Sequence, residues 1–362
     1  MLPAIPLLAL FAVAVAEPVP VWRMSYFYDK AQSSFDILDI ACPSQRFCIA
    51  VGLIEDSDGR AHPYSVLTRD GGEHWTAAKL EEPPLSLFFL NETEGWMVTE
   101  HGLWNTPDAA GTWKKRRSGT GYLSVAFTDS LHGWVIGRSR LLESTADGGA
   151  HWIPVPDIAR YANFPADLSF EFIHFDDPLH GAVVGEAAAP PERAPPDWMN
   201  PGMARFRTPP RAGVFGGTTA DGGRTWALRS IESRRSLIAV AFPSPVRLWL
   251  VFAPLSTELN SEVVEDRSDG PGLATVYRMS GARIAGVNVA ARGEIVVAAV
   301  ELSGRLADTP VPGKVRFLAG SSFSGLKEES ADYRAVARRI TLAPADGQWF
   351  AATDTGMILH RR

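Results

Sequence analysis

The sequence predicts an all-β fold, a seven-bladed β-propeller closed by its N-terminal strand pairing in the last blade. Three observations predict it. One turn motif returns at nearly constant spacing, paired short apolar runs accompany it along the chain, and the final repeat lacks a strand that the first residues can supply.

The turn motif reads Thr68-Arg69-Asp70-Gly71-Gly72-Glu73-His74-Trp75. It returns as Thr145-Ala146-Asp147-Gly148-Gly149-Ala150-His151-Trp152 and as Thr219-Ala220-Asp221-Gly222-Gly223-Arg224-Thr225-Trp226. A decayed copy is Thr106-Pro107-Asp108-Ala109-Ala110-Gly111-Thr112-Trp113. The Asp residues are 38, 39 and 74 positions apart, the last interval being one unit with an insertion. A fixed period of this length signals a repeat architecture. An Asp carboxylate accepts backbone amides just ahead of it, glycines adopt positive φ, and Trp buries a large area. The Asp residues are therefore expected to build turns and not to bind ligands.

Apolar pairs surround these turns. They include Leu87–Leu90 with Gly95-Trp96-Met97-Val98, and Val125–Phe127 with Gly133-Trp134-Val135-Ile136-Gly137. Phe172–Phe175, Ile238–Phe242, Val287–Ala290 and Ile340–Ala343 each have a second run behind them, as does Ile37–Ala41. Seven pairs give blades at 35–82, 84–118, 121–156, 168–230, 236–280, 284–328 and 334–362. Seven lies within the usual range for propellers. The last unit ends after its third strand, so Pro20–Tyr28 is expected to complete it. That would hide both terminal edges.

The segment 1–16 reads as a signal peptide. Leu2–Val15 is apolar and short for a bilayer span, and Ala14-Val15-Ala16 has the small-residue pattern of a cleavage point. An uncleaved anchor is the other reading. The expectation is an exported protein, periplasmic or extracellular, in which 17–362 form one propeller. Cys42 and Cys48 flank a tight hairpin and suit a disulfide in an oxidising compartment, with two free thiols as the alternative.

Ser/Thr-x-Asp-x-Gly-x-x-Trp is the Asp box, or BNR repeat, found in sialidases, other glycoside hydrolases and non-enzymatic propellers. With Gly133–Gly137 and the ending Thr353-Asp354-Thr355-Gly356-Met357-Ile358-Leu359-His360, the chain resembles the photosystem II stability/assembly factor family. More distantly it resembles the sialidase superfamily. The first resemblance implies a seven-bladed, non-enzymatic propeller that helps assemble membrane complexes. It is strongest over blades one to four.

Enzymatic signatures fail. No Arg-Ile-Pro-like motif precedes the first repeat, and Trp22-Arg23-Met24-Ser25 does not fit one. There is no Gly-x-Ser-x-Gly elbow, and the eight histidines show no ligand spacing. Asp176-Asp177 reads as a turn. No catalytic residue, cofactor or metal is expected, and a sialidase-like or glycan-binding propeller is the alternative. The formal charge of −6 argues against general nucleic-acid binding.

Binding has more support. Basic residues recur where an outer strand should lead to the next blade: Lys114-Lys115-Arg116-Arg117, Arg160, Arg234-Arg235, Arg283, Arg334 and Arg338-Arg339. Collected on one face they would create a positive field suited to carboxylates. The alternative is a scatter of solvated charges. A Pro-rich insertion at 187–211 carries Trp198 and Phe206 beside arginines, and reads as a lid or docking arm. The expected partner is a protein with an acidic segment, bound by a monomer through Arg116, Arg117, Arg160, Arg234, Arg235, Arg334, Arg338, Trp198 and Phe206.

Overall fold

A computed structural model describes residues 21–156, 164–188, 211–231, 237–244, 246–252, 260–267, 272–301, 305–306, 309–310 and 312–362. The expectations placed on residues 1–16, Arg160, Arg234, Arg235, Trp198 and Phe206 lie outside the described residues.

Seven antiparallel blade sheets follow one another along the chain, and a two-stranded ribbon, Arg305–Leu306 with Thr309–Pro310, lies between the second and third strands of blade six. Blade one is Ser34–Ala41, Cys48–Glu55, Ala61–Thr68 and Thr76–Lys79. Blade two is Pro84–Phe89, Gly95–Thr99, Gly102–Thr106 and Lys114–Ser118. Blade three is Tyr122–Phe127, Gly133–Gly137, Leu142–Thr145 and the two-residue Ile153–Pro154. Blade four begins at Ser169–Phe175, and its strands Gly181–Ala188 and Arg211–Thr219 pair up to Ala188↔Arg211. Blades five and six start at Leu237–Ser244 and Ala282–Val289. Blade seven contains Ile340–Ala345, Gln348–Thr353 and Met357–Arg361.

The first strands of successive blades touch, and blade one touches blade seven, so the sheets form a ring. The expected closing strand is present. Arg23–Phe27 pairs antiparallel with Met357–Arg361, with Arg23 opposite His360 and Phe27 opposite Met357. Trp22 anchors it: the ring is fully buried, stacks on Phe317 of blade six at 3.9 Å, and donates Nε1–H to Glu329 at 2.8 Å.

One segment differs from expectation. Lys114–Ser118 is the outermost strand of blade two, not a connecting loop. Its consecutive charges alternate faces because strand side chains do. Lysine and arginine on such an edge also deter pairing with a second chain.

The core is distributed. Seven apolar clusters among the described residues each lie at a blade–blade seam. The recurring Gly-Trp dipeptide builds two of these seams. Trp96 stacks on Phe127 of the next blade at 3.7 Å, and Trp134 stacks on Phe175 at 3.8 Å. The turn-motif tryptophans Trp152 and Trp226 meet those same phenylalanines edge-on. Gly133 is small because a Cβ there would lie 2.5 Å from the Phe127 ring. Each aromatic pair adds about 0.5–1.5 kcal/mol beyond its buried area.

The repeat turns join third to fourth strands. In the first, Asp70 Oδ1 accepts the Glu73 and His74 amides at 3.1 and 3.0 Å and the Thr68 hydroxyl at 2.8 Å. The Gly71 amide donates to the Arg46 carbonyl, tying this turn to the one between strands one and two. Gly148 and Gly222 donate likewise to Leu131 and Leu179. One face of the ring therefore carries both turn types, and the opposite face carries the remaining connections. Cys42 and Cys48 are joined by a disulfide across the first hairpin.

Candidate functional site at the channel mouth

On the face opposite the repeat turns, blades six, seven and one bring three arginines together. Arg283 lies in the first strand of blade six, one residue from its start. Arg338 and Arg339 immediately precede the first strand of blade seven. First strands surround the channel, so these side chains stand at its mouth.

Two carboxylates hold them. Asp354, in the turn between strands two and three of blade seven, is almost fully buried. It accepts the Arg338 and Arg339 amides at 2.8 and 3.1 Å, and Arg338 Nε–H at 2.8 Å. Burial pushes its pKa up, but these hydrogen bonds and the Arg338 charge together hold it below the usual range. Asp36, from blade one, accepts Arg339 Nη2–H at 2.5 Å. Arg339 Nη2–H also donates to the Ile37 carbonyl at 3.0 Å, so this residue bridges the ring closure. For Asp36, burial outweighs the Arg339 charge and raises the pKa. Arg283 donates to the Arg338 carbonyl, and its own burial disfavours its charge.

The cluster therefore holds three guanidiniums against two carboxylates. Asp354 is buried and Asp36 is half-exposed, and arginine donors engage both. Their effect is to fix guanidinium orientation, and pre-oriented arginine forks bind carboxylates with less entropy lost. The side chains of Arg338 and Arg339 remain 45% exposed, so room is left for a ligand.

Arg334 stands nearby in the chain on the connection from blade six to blade seven. It makes a two-pronged pair with Asp332 at 3.0 and 2.8 Å and lies over the Tyr333 ring. Tyr333 is 83% exposed, the most exposed large apolar side chain among the described residues.

Arg116 and Arg117 are not in this group. Arg116 donates to Asn105 at 3.2 Å on the rim of blade two. Arg117 is ion-paired with Glu143 of blade three, and Lys115 with Glu82 at 2.5 Å. Of these contacts, the Arg117–Glu143 pair braces blades two and three. The sequence pattern found Arg283, Arg338 and Arg339 but not the aspartates that set them. Asp36 is a charge within an apolar first strand, and Asp354 falls in a tight turn, so each gives a readable signal. Arg138 and Arg140 were also missed. They flank a turn on the same face in which Ser139 and Arg140 have φ of 56° and 61°. Arg138 is exposed.

No protein-family model matches the chain. Local sequence similarity is found to the photosystem II assembly lipoprotein Ycf48 of Synechococcus sp. (strain CC9605), 43% identical over 54 residues. That match spans 15% of this chain and 15% of the relative. The protein of the same description from strain RCC307 is 37% identical over 70 residues, 19% of this chain and 20% of that one. Among solved structures, one described as YCF48 bound to D1 peptide has a TM-score of 0.61, 14% identity and 96% coverage of both chains. YCF48 from Cyanidioschyzon merolae has a TM-score of 0.58, 13% identity, and coverage of 94% of this chain and 98% of that one. An ancestral GH74 enzyme has a TM-score of 0.56 and 13% identity, over 94% of this chain and 46% of its own. The chain is a seven-bladed propeller that resembles photosystem II assembly factors.

Proposed function

We propose that this protein is an exported, non-enzymatic assembly factor that captures an acidic protein segment at the channel mouth. The observation that carries the reading is the aspartate-braced cluster of Arg283, Arg338 and Arg339. Arg334 with Tyr333 extends it, and Arg138 and Arg140 add charge on the same face. Support also comes from the likeness to YCF48, one structure of which is described as holding a peptide. In this reading Arg160, Arg234, Arg235, Trp198 and Phe206 join the same surface, and Arg116 and Arg117 border it. The partner is a subunit of a membrane complex, and the propeller works as a monomer outside the cytoplasm.

A labelled acidic peptide with a free C-terminal carboxylate tests this. Binding should weaken as salt rises, because the contact is charged and partly exposed. Replacing Arg334 and Arg339 together by alanine should weaken binding roughly tenfold. Arg339 also ties blade seven to blade one through Asp36 and the Ile37 carbonyl, so melting and circular dichroism are read beside binding and affinity is compared in protein that remains folded. Unchanged affinity in a folded double variant would refute the site. Arg117 is a poor choice for charge reversal, since its pairing with Glu143 makes folding and binding effects inseparable.

A further inference from the structure

The face carrying the repeat turns has its own pattern. The carbonyls that accept the repeat-turn amides belong to Arg46, Thr93, Leu131 and Leu179 in blades one to four. This register, three residues before Trp134 in blade three and before Ala182 in blade four, falls on Val246 before Trp249 in blade five. Blades three, four and five thus place an apolar side chain at one equivalent point, where blades one and two place Arg46 and Thr93. Leu131 is 52% exposed, Leu179 51% and Val246 42%.

These tips are built, not incidental. Asp129 Oδ1 accepts the Leu131 and His132 amides at 2.7 and 2.8 Å, and Asp177 does the same for Leu179 and His180 at 2.7 and 2.9 Å. Each turn is also locked to a repeat turn through its Leu carbonyl. The leucines are held outward on a stiff support. Ile153 and Leu273, at the starts of the outer strands of blades three and five, are exposed on the same face. Among the described residues, five of the eight exposed large apolar side chains are therefore gathered on one arc. Scattered apolar residues need no explanation, but a gathered set marks a contact surface.

The chain itself says what lies beyond. The closing strand starts on this face: Ser25 Oγ donates to the Gly72 carbonyl in the first repeat turn, and Val21 and Arg23 border Gly72 and Glu73. Only Ala16–Pro20 separate Val21 from the apolar run Leu2–Val15. Six residue steps reach at most about 20 Å. In the uncleaved-anchor reading of that run, its insertion in a bilayer would hold this face, and not the arginine face, toward the lipid.

We propose that the repeat-turn face rests on a lipid bilayer through Leu131, Leu179 and Val246, leaving the arginine-bearing mouth turned to the aqueous side. Asp129, Asp147 and Asp177 lie among or beside the tips, each with a histidine within 3 Å, so the matching headgroup surface is zwitterionic. The test uses the full chain with one introduced cysteine. Cys42 and Cys48 are tied to each other, so a new thiol labels alone without reductant. A polarity-sensitive fluorophore is placed at Leu179→Cys or at Tyr333→Cys, and phosphatidylcholine vesicles carrying a lipid-phase quencher are added. The label at position 179 should be quenched at least about threefold more than the label at 333. In a Leu131→Asp/Val246→Asp background the quenching at 179 should fall to the level at 333. Equal quenching at the two positions, or none at 179, overturns the proposal. Peptide capture is measured on the opposite face, so either reading can fail alone.

Discussion

Gly223 gives the sharpest test of the seam architecture. It is the second glycine of the fourth-blade turn, with φ of +75°. A Cβ there would lie 2.2 Å from Trp134 Nε1 and 2.9 Å from Cε2. Trp134 cannot swing aside, because it is 4% exposed and stacked on Phe175. Two costs therefore add in Gly223→Ala. The left-handed backbone costs about 1–2 kcal/mol for a residue with a Cβ. Forcing a methyl into a filled seam costs about 1–3 kcal/mol more. A total near 3–4 kcal/mol is expected. With unfolding entropy of about 2.1 cal/mol/K per residue, a chain of this size shifts roughly 1.4 °C per kcal/mol. The melting temperature should fall by about 4–6 °C. The decayed copy supplies the opposite perturbation. Ala109 and Ala110 already sit at φ of 59° and 62°. Ala110→Gly relieves the backbone but gives up a partly packed methyl, so a gain of up to about 1 kcal/mol is expected. Calorimetric melting of both variants decides the matter. A Gly223→Ala protein melting within 1 °C of the parent, about the precision of comparison, would show that Trp134 does not define that turn.

Three further outcomes follow from the same geometry. Asp354→Asn keeps an oxygen for the Arg338 and Arg339 amides but loses the charged bond to Arg338 Nε, so stability should drop by about 1–2 kcal/mol and acidic-peptide affinity should fall with it; titration calorimetry beside melting reads both. His360 stacks on Phe350 at 4.2 Å, and burial lowers its pKa to about 4. Its contribution is complete above its unfolded value near 6.5 and is lost as pH falls toward 4, so His360→Gln should gain on the parent across that window. Asp39 acts oppositely: burial raises its pKa to about 6, so its contribution is present below about 3.9 and is lost as pH rises through 6. The difference in melting temperature between variant and parent, followed from pH 7 to 4, isolates the histidine; a flat difference would show that His360 is not buried neutral. Replacing Cys42 and Cys48 together by serine opens a loop of only six residues' separation, and chain entropy sets that loss near 2 kcal/mol, a melting decrease of about 3 °C with the fold retained by circular dichroism.

The ring was legible in the sequence because its signals are local and repeated. A turn that needs Thr, Asp, two glycines and Trp leaves a string of fixed residue types, and three intact copies set the period for blades that have none. The missing outer strand of blade seven was legible by subtraction. Blade two's basic strand was not, since Lys114–Arg117 lacks the alternation of apolar residues that marks a strand. Its apolar partners belong to the neighbouring strand, and only pairing places it. The mouth cluster was half legible. Arginines at equivalent connections could be aligned by the repeat, but Asp36 reaches Arg339 across 303 positions and the seam that closes the ring. No periodicity encodes that contact.

The two faces of the ring obey different constraints. On the repeat-turn side of blades one to four, each connection must satisfy an Asp, capture a carbonyl from the adjoining turn and seat a tryptophan in the seam with the preceding blade. Those demands are geometric and leave one outward position per blade free to vary. That position is Arg46, Thr93, Leu131, Leu179 and Val246 in turn. On the opposite side no such motif recurs, so lengths and charges differ from blade to blade, from the two-residue link Glu100-His101 to the 22 residues between Ala188 and Arg211. A surface without a structural quota can hold a costly feature, such as a buried Asp354 beneath arginines. Buried charge persists only where surrounding structure enforces it. The placement of Asp354 opposite the repeat turns is the physical reason to look for binding at the mouth, and the stiffness of the repeat turns in blades three and four is what lets Leu131 and Leu179 act as contacts.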